Sequence, residues 1–443
     1  MARDKYRKRY IIISVLCIVA IIVGIIIRNE TARKKVEHDN LEITFAHFQG
    51  EGDAMYHSIQ NAIYLFEKDN PNVKIKQEYY TTDAYAQKTE EWNEEREIRD
   101  ITMVLGTMVP EYAENGSILD LTEYISKNKI NRKIDSEYFG ELSYQGQIYG
   151  VPWEKAHYAF ILYNEEIFQE VGISKFPTTL DEFVEACTKL NRAGYIPMGM
   201  GNKQGWGLDS LLFSAFVNNY VGNEWYDDIL ACNGEASFLD EEFLYALEDF
   251  QKLGRVDAFN SNFASINNEQ RGNMYQNREV AMISAGNWEC RSTAELVPEI
   301  AEMTKVALWP AGKQAILKQS LVSSSAWGMA VGAGAEKEKI PYIIDFINHY
   351  ICSQEFGQIL AEEQGVFTPW KVEYDSSTIN VLSQQVEDIA KEKETQTCLN
   401  WDSTLPTKVK KVYQQGLEDI TLGIKSPKLV AEEIQKVYEK MCK

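Results

Sequence analysis

Two kinds of side chain in this chain could do chemistry: the carboxylates, and the aromatic rings placed on turns. There are 66 Asp and Glu against 45 Lys and Arg, with five His and seven Cys. Paired carboxylates can hydrolyse glycosidic bonds when one is kept protonated and the other charged. Glu51, Glu154, Glu289 and Asp402 are the acids near expected loops, and none has a companion at a diagnostic spacing. No two of His38, His47, His57, His157 and His349 stand at metal-ligand spacing on one helix, so neither a metal nor another cofactor is expected. No Gly-x-Ser-x-Gly occurs, "AGKQ" lacks the Ser/Thr and upstream Gly of a phosphate loop, and "GMGNKQGWG" has the wrong spacing for a dinucleotide fingerprint. A net charge of −21 disfavours nucleic acid, where affinity comes largely from Lys and Arg on phosphates.

The rings carry more information. With 24 Tyr, 18 Phe and 9 Trp the chain is rich in groups that stack on flat apolar faces, including those of sugars. In "AMISAGNWE" three small residues and an asparagine bring Trp288 to a turn directly after a short buried strand. Such a ring has little local cover, and from these residues alone it either plugs the surface or faces a ligand.

The elements that must hold these residues read as α/β. "LEITFAHF" alternates as a strand does, and Met55, Ile59, Ile63 and Phe66 form the stripe of a helix ending at "NP". "NVKIKQEYY" is the next strand, so the three make a β-α-β unit and imply a parallel sheet. Thr179 and Glu182 form a capping box for a helix that buries Phe183, Ala186 and Leu190 and ends at Gly194. Further helices are expected near 240–253, 338–361, 377–394, 406–422 and 429–441. No internal repeat is present.

The N-terminus predicts location. Arg3, Lys5, Arg7, Lys8 and Arg9 precede Tyr10–Ile27, a charge-free apolar run at the short end of a membrane span. The basic head should stay inside and everything after Arg28 outside. Cys17 sits mid-run without a lipoprotein context, and no A-x-A cleavage site follows, so an uncleaved anchor is expected. The other six cysteines, Cys187, Cys232, Cys290, Cys352, Cys398 and Cys442, are widely spaced, and sequence leaves their pairing open.

Five segments in collinear order carry a resemblance. "DITMVLGT" with "YAENGSILDLTEYI", then "YGVPWEKAHYAFILYNEEIFQEVGI" (149–173), "FPTTLDEF" with "AGYIPMGMGNKQGW", the "AMISAGNWE" stretch, and "WGMAVGAGAEKEKIPYIIDFINHYICSQEFGQILAEEQGVFTP" (327–369) together resemble the extracellular sugar-binding proteins of ABC importers, the maltose-binding type. The resemblance spans roughly residues 41–441. It implies two α/β lobes with a ligand cleft between them, each lobe discontinuous: residues 1–9 as cytoplasmic tail, 10–27 as transmembrane anchor, 28–40 as linker, 41–151 with 310–340 as N-terminal lobe, and 152–309 with 341–443 as C-terminal lobe. Crossings are expected near 150–157, near 305–312 and within 330–345. On this basis Trp288 faces the cleft and stacks on a pyranose ring. Trp153 and His157 lie on the first crossing, Trp206 ends the "NKQGW" loop, Gln49 and Glu51 occupy the first strand-to-helix loop, Trp327 follows "SSS", and Trp401 with Asp402 sits on a late closing loop. The expected partners are a sugar or oligosaccharide, the transmembrane subunits of an ABC permease, and the membrane through the N-terminal helix. Binding by hinge motion, without chemistry on the ligand, is favoured. An extracellular glycosidase and a ligand-sensing partner of a separate receptor are the rivals.

Overall fold

The computed structural model describes residues 41–53, 55–325 and 327–443. The expected anchor at Tyr10–Ile27 lies outside them. Among the described residues no helix is long and apolar enough to cross a membrane.

Two sheets divide the chain. The first holds β1 (Leu41–His47), β2 (Val73–Tyr79), β3 (Ile101–Leu105), β4 (Val151–Pro152) and, from much later in the chain, Trp327–Val331. β1 pairs in parallel with β2 and β3, as the β-α-β pattern required, with α1 (Tyr56–Asp69) crossing between the first two. Ile59, Ala62, Ile63 and Phe66 of α1 are buried, so its apolar stripe is what fixes the helix on the sheet. The second sheet is built on the nine-residue β5 (Ala156–Asn164). β6 (Ile196–Gly199) lies parallel to β7 (Val280–Gly286), and β7 runs antiparallel to β5. On the other edge of β5, β8 (Thr304–Ala307) pairs with its second half and β9 (Gln319–Ser324) with its first. The Trp327–Val331 strand is β10, and β11 (Thr395–Cys398) completes the second sheet beside β9.

Helices cover both faces. α2 (Thr82–Glu95) belongs to the first lobe. In the second, α3 (Leu180–Arg192) carries the capping box between Thr179 and Glu182 and buries Phe183, Ala186 and Leu190, as its sequence predicts. α4 (Ser214–Ala231), α5 (Glu241–Arg255) and α6 (Asn287–Leu296) follow. α7 (Gln354–Gln364) returns to the first lobe, where Phe356 and Leu360 join its core. α8 (Val381–Ala390), α9 (Thr407–Thr421) and α10 (Pro427–Met441) lie in the second.

The crossings correct two expectations. The chain first passes between lobes from β4 to β5, around residues 153–155. It returns between β9 and β10, within the "SSS" stretch, and not near 305–312: β8 there is paired to β5 and Trp309 is in the second core. It crosses a third time between α7 and α8, around 365–380, and not within 330–345, because Ile343, Ile344, Phe346, Ile347 and Ile351 fill the first core. Strand pairing with a distant segment, not local pattern, decides where a crossing falls. Residues 310–324 therefore belong to the C-terminal lobe and residues 341–364 to the N-terminal one.

Cys232, at the C-terminal end of α4, is joined to Cys442 just beyond α10, while Cys187, Cys290, Cys352 and Cys398 are free and buried. The bridge closes a segment of 210 residues. Constraining so long a loop in the unfolded chain predicts a loss of about 2–4 kcal/mol for Cys232→Ser. Urea unfolding of the variant beside the oxidised wild type checks it; unchanged midpoints would mean the bridge contributes nothing.

Candidate functional site

The candidate site lies where the first two crossings leave the sheets. Trp327 opens β10 opposite Leu105 at the end of β3, and the next residue, Gly328, pairs with Pro152 at the start of the first crossing. On the other side of that crossing, Tyr158 pairs with Gly286, the last residue of β7. The two rows of rings thus flank the same crossing strands, beyond the ends of both sheets, the place where open α/β folds take ligands.

On the N-terminal lobe, the half-buried Trp327 meets Phe48 edge-on at 4.9 Å and Tyr85 at 6.0 Å. Tyr85 is fixed from behind: its hydroxyl donates to the Met103 carbonyl at 2.9 Å and receives the Met103 N–H at 2.7 Å. On the C-terminal lobe, Trp288 stands in the first turn of α6 at 39% exposure, the most exposed tryptophan among the described residues. Its ring lies across the strand end: a Cβ on Gly286 would come within 2.4 Å of it. Only a glycine leaves that space. Tyr158 is 6.0 Å away, and the half-buried Trp206 packs with Ala156, Tyr158 and Leu211 on the same side.

Polar groups come from three directions. Asp402 holds Lys410 at 3.3 Å and accepts from Gln414 at 2.9 Å. Gln414 also donates to the buried Asp209, whose carboxyl is pushed up to about 8 by burial and then by the charge of Asp402. Lys410 reaches Thr107 of the opposite lobe at 3.4 Å. Glu141, from the N-terminal lobe, accepts from Ser324 on the second crossing at 2.7 Å and from Ser403 of the C-terminal lobe at 3.2 Å. Burial pushes its carboxyl up to about 7 against those hydroxyls. Glu154, half-buried on the first crossing, has no partner among the described residues, and desolvation alone pushes it up to about 8.

Three of the expected ligand contacts are corrected. Trp153 is fully buried against Phe45 and Phe356 in the first core. Trp401 is 1% exposed and stacks on Tyr226 at 4.3 Å in the second. His157 is buried in β5, its backbone N–H on Asn287 and its Nε2 3.2 Å from Glu387, close enough for charge pairing but poorly aligned for a hydrogen bond. All three serve packing, because neighbours from far along the chain close over them. Gln49 closes its own loop by accepting from the Met55 N–H at 3.2 Å, and Glu51 is exposed on the same turn. Sequence reasoning passed over Phe48, Tyr85, Tyr158, Glu141 and Asp209; only Asp209, an acid inside the apolar run "GLDSLLFSAF", left a visible signal.

Of the carboxylates weighed for hydrolysis, Glu289 is engaged by Arg271 and the Gly286 N–H, and Asp402 by Lys410 and Gln414. No metal-binding cluster occurs among the described residues. A cavity of about 430 Å³, with none of these rings in its lining, lies between α6 and α7 beside the third crossing. Apolar rings and a few placed polar groups from both lobes thus flank the crossing strands.

Residues 48–351 match the family model of bacterial extracellular solute-binding proteins. Among solved structures, a protein of Caldanaerobius polysaccharolyticus from work on xylan utilization superposes with a TM-score of 0.78 at 20% identity, covering 89% of this chain and 99% of its own. A chitin oligosaccharide binding protein gives 0.78 at 18%, covering 91% and 100%. Maltose-bound MalE3 of T. maritima gives 0.73 at 17%, covering 90% and 100%. No curated protein matches the sequence significantly. These structural likenesses concern the two-lobed fold, which the crossings described above also display. The family match covers the greater part of the chain and includes both ring-bearing walls, so the protein is a binding protein rather than an enzyme, a member of the bacterial extracellular solute-binding proteins.

Proposed function

We propose that this protein is a membrane-anchored, outward-facing carbohydrate-binding component of an ABC importer, which closes on a sugar or oligosaccharide by hinge motion and presents it to a separate permease. The observation that carries the reading is Trp288, a tryptophan left exposed at the end of a wholly buried strand, across the crossing strands from Trp327. Both rings offer faces of the kind that sugars stack on. The structural neighbours named for maltose and chitin oligosaccharides support a saccharide as the solute class. Trp206, Asp402, Gln49 and Glu51 are the further contacts assigned to the cleft, and the unpartnered Glu154 joins them. The basic head before Tyr10–Ile27 supports the anchor and its orientation.

The test is a thermal-shift screen of residues 36–443 against malto-, chito- and xylo-oligosaccharides, where a ligand at a hundred times its dissociation constant adds about 2.7 kcal/mol. For a sugar that binds, Trp288→Ala is expected to weaken affinity by about 1–3 kcal/mol, the scale of an aromatic that carries binding energy. The part of the intrinsic fluorescence change that comes from Trp288 should vanish with it. Unaltered affinity in the variant by calorimetry would remove Trp288 from the site.

A further inference from the structure

We propose that the buried Arg271–Glu289 pair is the positioning device for Trp288, fixing the strand-to-helix turn that presents the indole to the solute. The proposal rests on the reading of Trp288 as a stacking surface.

Arg271 is wholly buried, on the helix Asn268–Gln276. One arm of its guanidinium donates to the Ser284 carbonyl and the other to the Glu289 carboxylate. Ser284 precedes the turn and Glu289 follows it, so one planar, rigid group holds both sides. Glu289 uses its other oxygen to accept the Gly286 N–H at 2.7 Å. Burial raises the Glu289 carboxyl from its ordinary value, opposed first by the charge of Arg271 and also by the Gly286 N–H and the Trp288 side chain, which favour the ionised form. The residue between, Asn287, accepts the His157 N–H at 3.0 Å and so ties the turn to the strand entering from the first crossing. Ser284, Gly286, Asn287 and Glu289 therefore each have a polar restraint, Trp288 itself leans on the Glu289 carboxylate, and Trp288 is the one of these whose side chain is exposed.

A buried ion pair is a poor way to gain stability, since an apolar pair of similar volume often does as well or better. What the guanidinium fork supplies is geometry: two hydrogen bonds at fixed spacing across a turn. A binding ring must be held within a fraction of an ångström by groups that do not themselves touch the ligand.

The experiment needs no solute. Glu289→Gln and Arg271→Lys are each made with and without Trp288→Phe, so that subtracting spectra isolates the Trp288 emission from that of the other tryptophans. In the folded variants, the Trp288 component is expected to shift to the red and to become more accessible to acrylamide, because the turn loses its fixed pose. Melting curves taken in parallel report stability separately. An unchanged Trp288 component in both variants, whatever their melting temperatures, would overturn the proposal. So would the failure of both to fold, which would make the pair a purely structural element. Because no sugar is added, this outcome is independent of whether Trp288 binds one, which the Trp288→Ala titration decides.

Discussion

Trp401→Ala is expected to destabilise the protein by about 3–5 kcal/mol, the cost of truncating a large aromatic in a closed core. Its ring stacks almost flat on Tyr226, with centroids 4.3 Å apart, and is enclosed further by Trp225 at 5.9 Å, Phe243 at 6.2 Å and Tyr413 at 5.6 Å. These neighbours come from α4, α5 and α9, three elements that cannot collapse together into the space an alanine would leave. Trp288→Ala removes a ring that already has water on one side and should cost clearly less. Setting the denaturation midpoints of the two variants beside their sugar affinities separates the roles. A Trp401 variant of near wild-type stability with lost binding would return Trp401 to the ligand site.

Raising the pH from 6.5 to 8 is expected to lower stability markedly. Glu141 moves from an ordinary 4.5 to about 7, Glu154 from 4.5 to about 8 and Asp209 from 3.8 to about 8, in each case chiefly through burial. An acid with a raised pKa in the fold keeps its proton where the unfolded chain has lost it. The native state then binds more protons, and stability falls as pH rises. The contribution is fully present below about pH 4 and gone above the folded values. While one such group is protonated in the fold and ionised in the unfolded chain, it costs about 1.4 kcal/mol per pH unit. His47, pushed down to about 4 by burial, acts in the opposite sense, but only below its ordinary 6.5. The buried free thiols act in the same sense as the acids, but only near and above pH 8.5. Glu289, Asp53 and Asp227 are also raised by burial and act in the same sense as these three acids. Urea unfolding across that range should show the decline, and Glu141→Gln should flatten it. A flat profile in the wild type would mean that these carboxyls are already ionised in the fold.

Glu141 and Asp209 also show how the lobes are coupled to this titration. Glu141 spans from the N-terminal lobe to Ser324 and Ser403, and Asp209 shares Gln414 with Asp402, whose partner Lys410 reaches Thr107 across the cleft. Ionising Glu141 adds charge directly at a contact between the lobes, and ionising Asp209 adds it one residue removed, beside the Asp402–Lys410 pair.

What the sequence alone determined is what depends on short-range pattern. The stripe of α1, the capping box of α3 and the alternation of β1 could be read because hydrophobic period and end-capping act over a few residues. The position of Trp288 at a strand end was legible for the same reason: a buried run, three small residues and a turn are all local. The resemblance of five collinear segments carried the family. What only the tertiary structure decided is which side of a wall each ring occupies. Trp153 and Trp401 have flanks as turn-like as those of Trp288, yet the first is closed in by Phe45 and Phe356 and the second by Tyr226, Phe243 and Tyr413. The second and third crossings, the bond from Cys232 to Cys442 and the Arg271 clamp on the Trp288 turn have the same origin. Each joins residues far apart in the chain, and no local period records a partner that arrives only when the sheets are assembled.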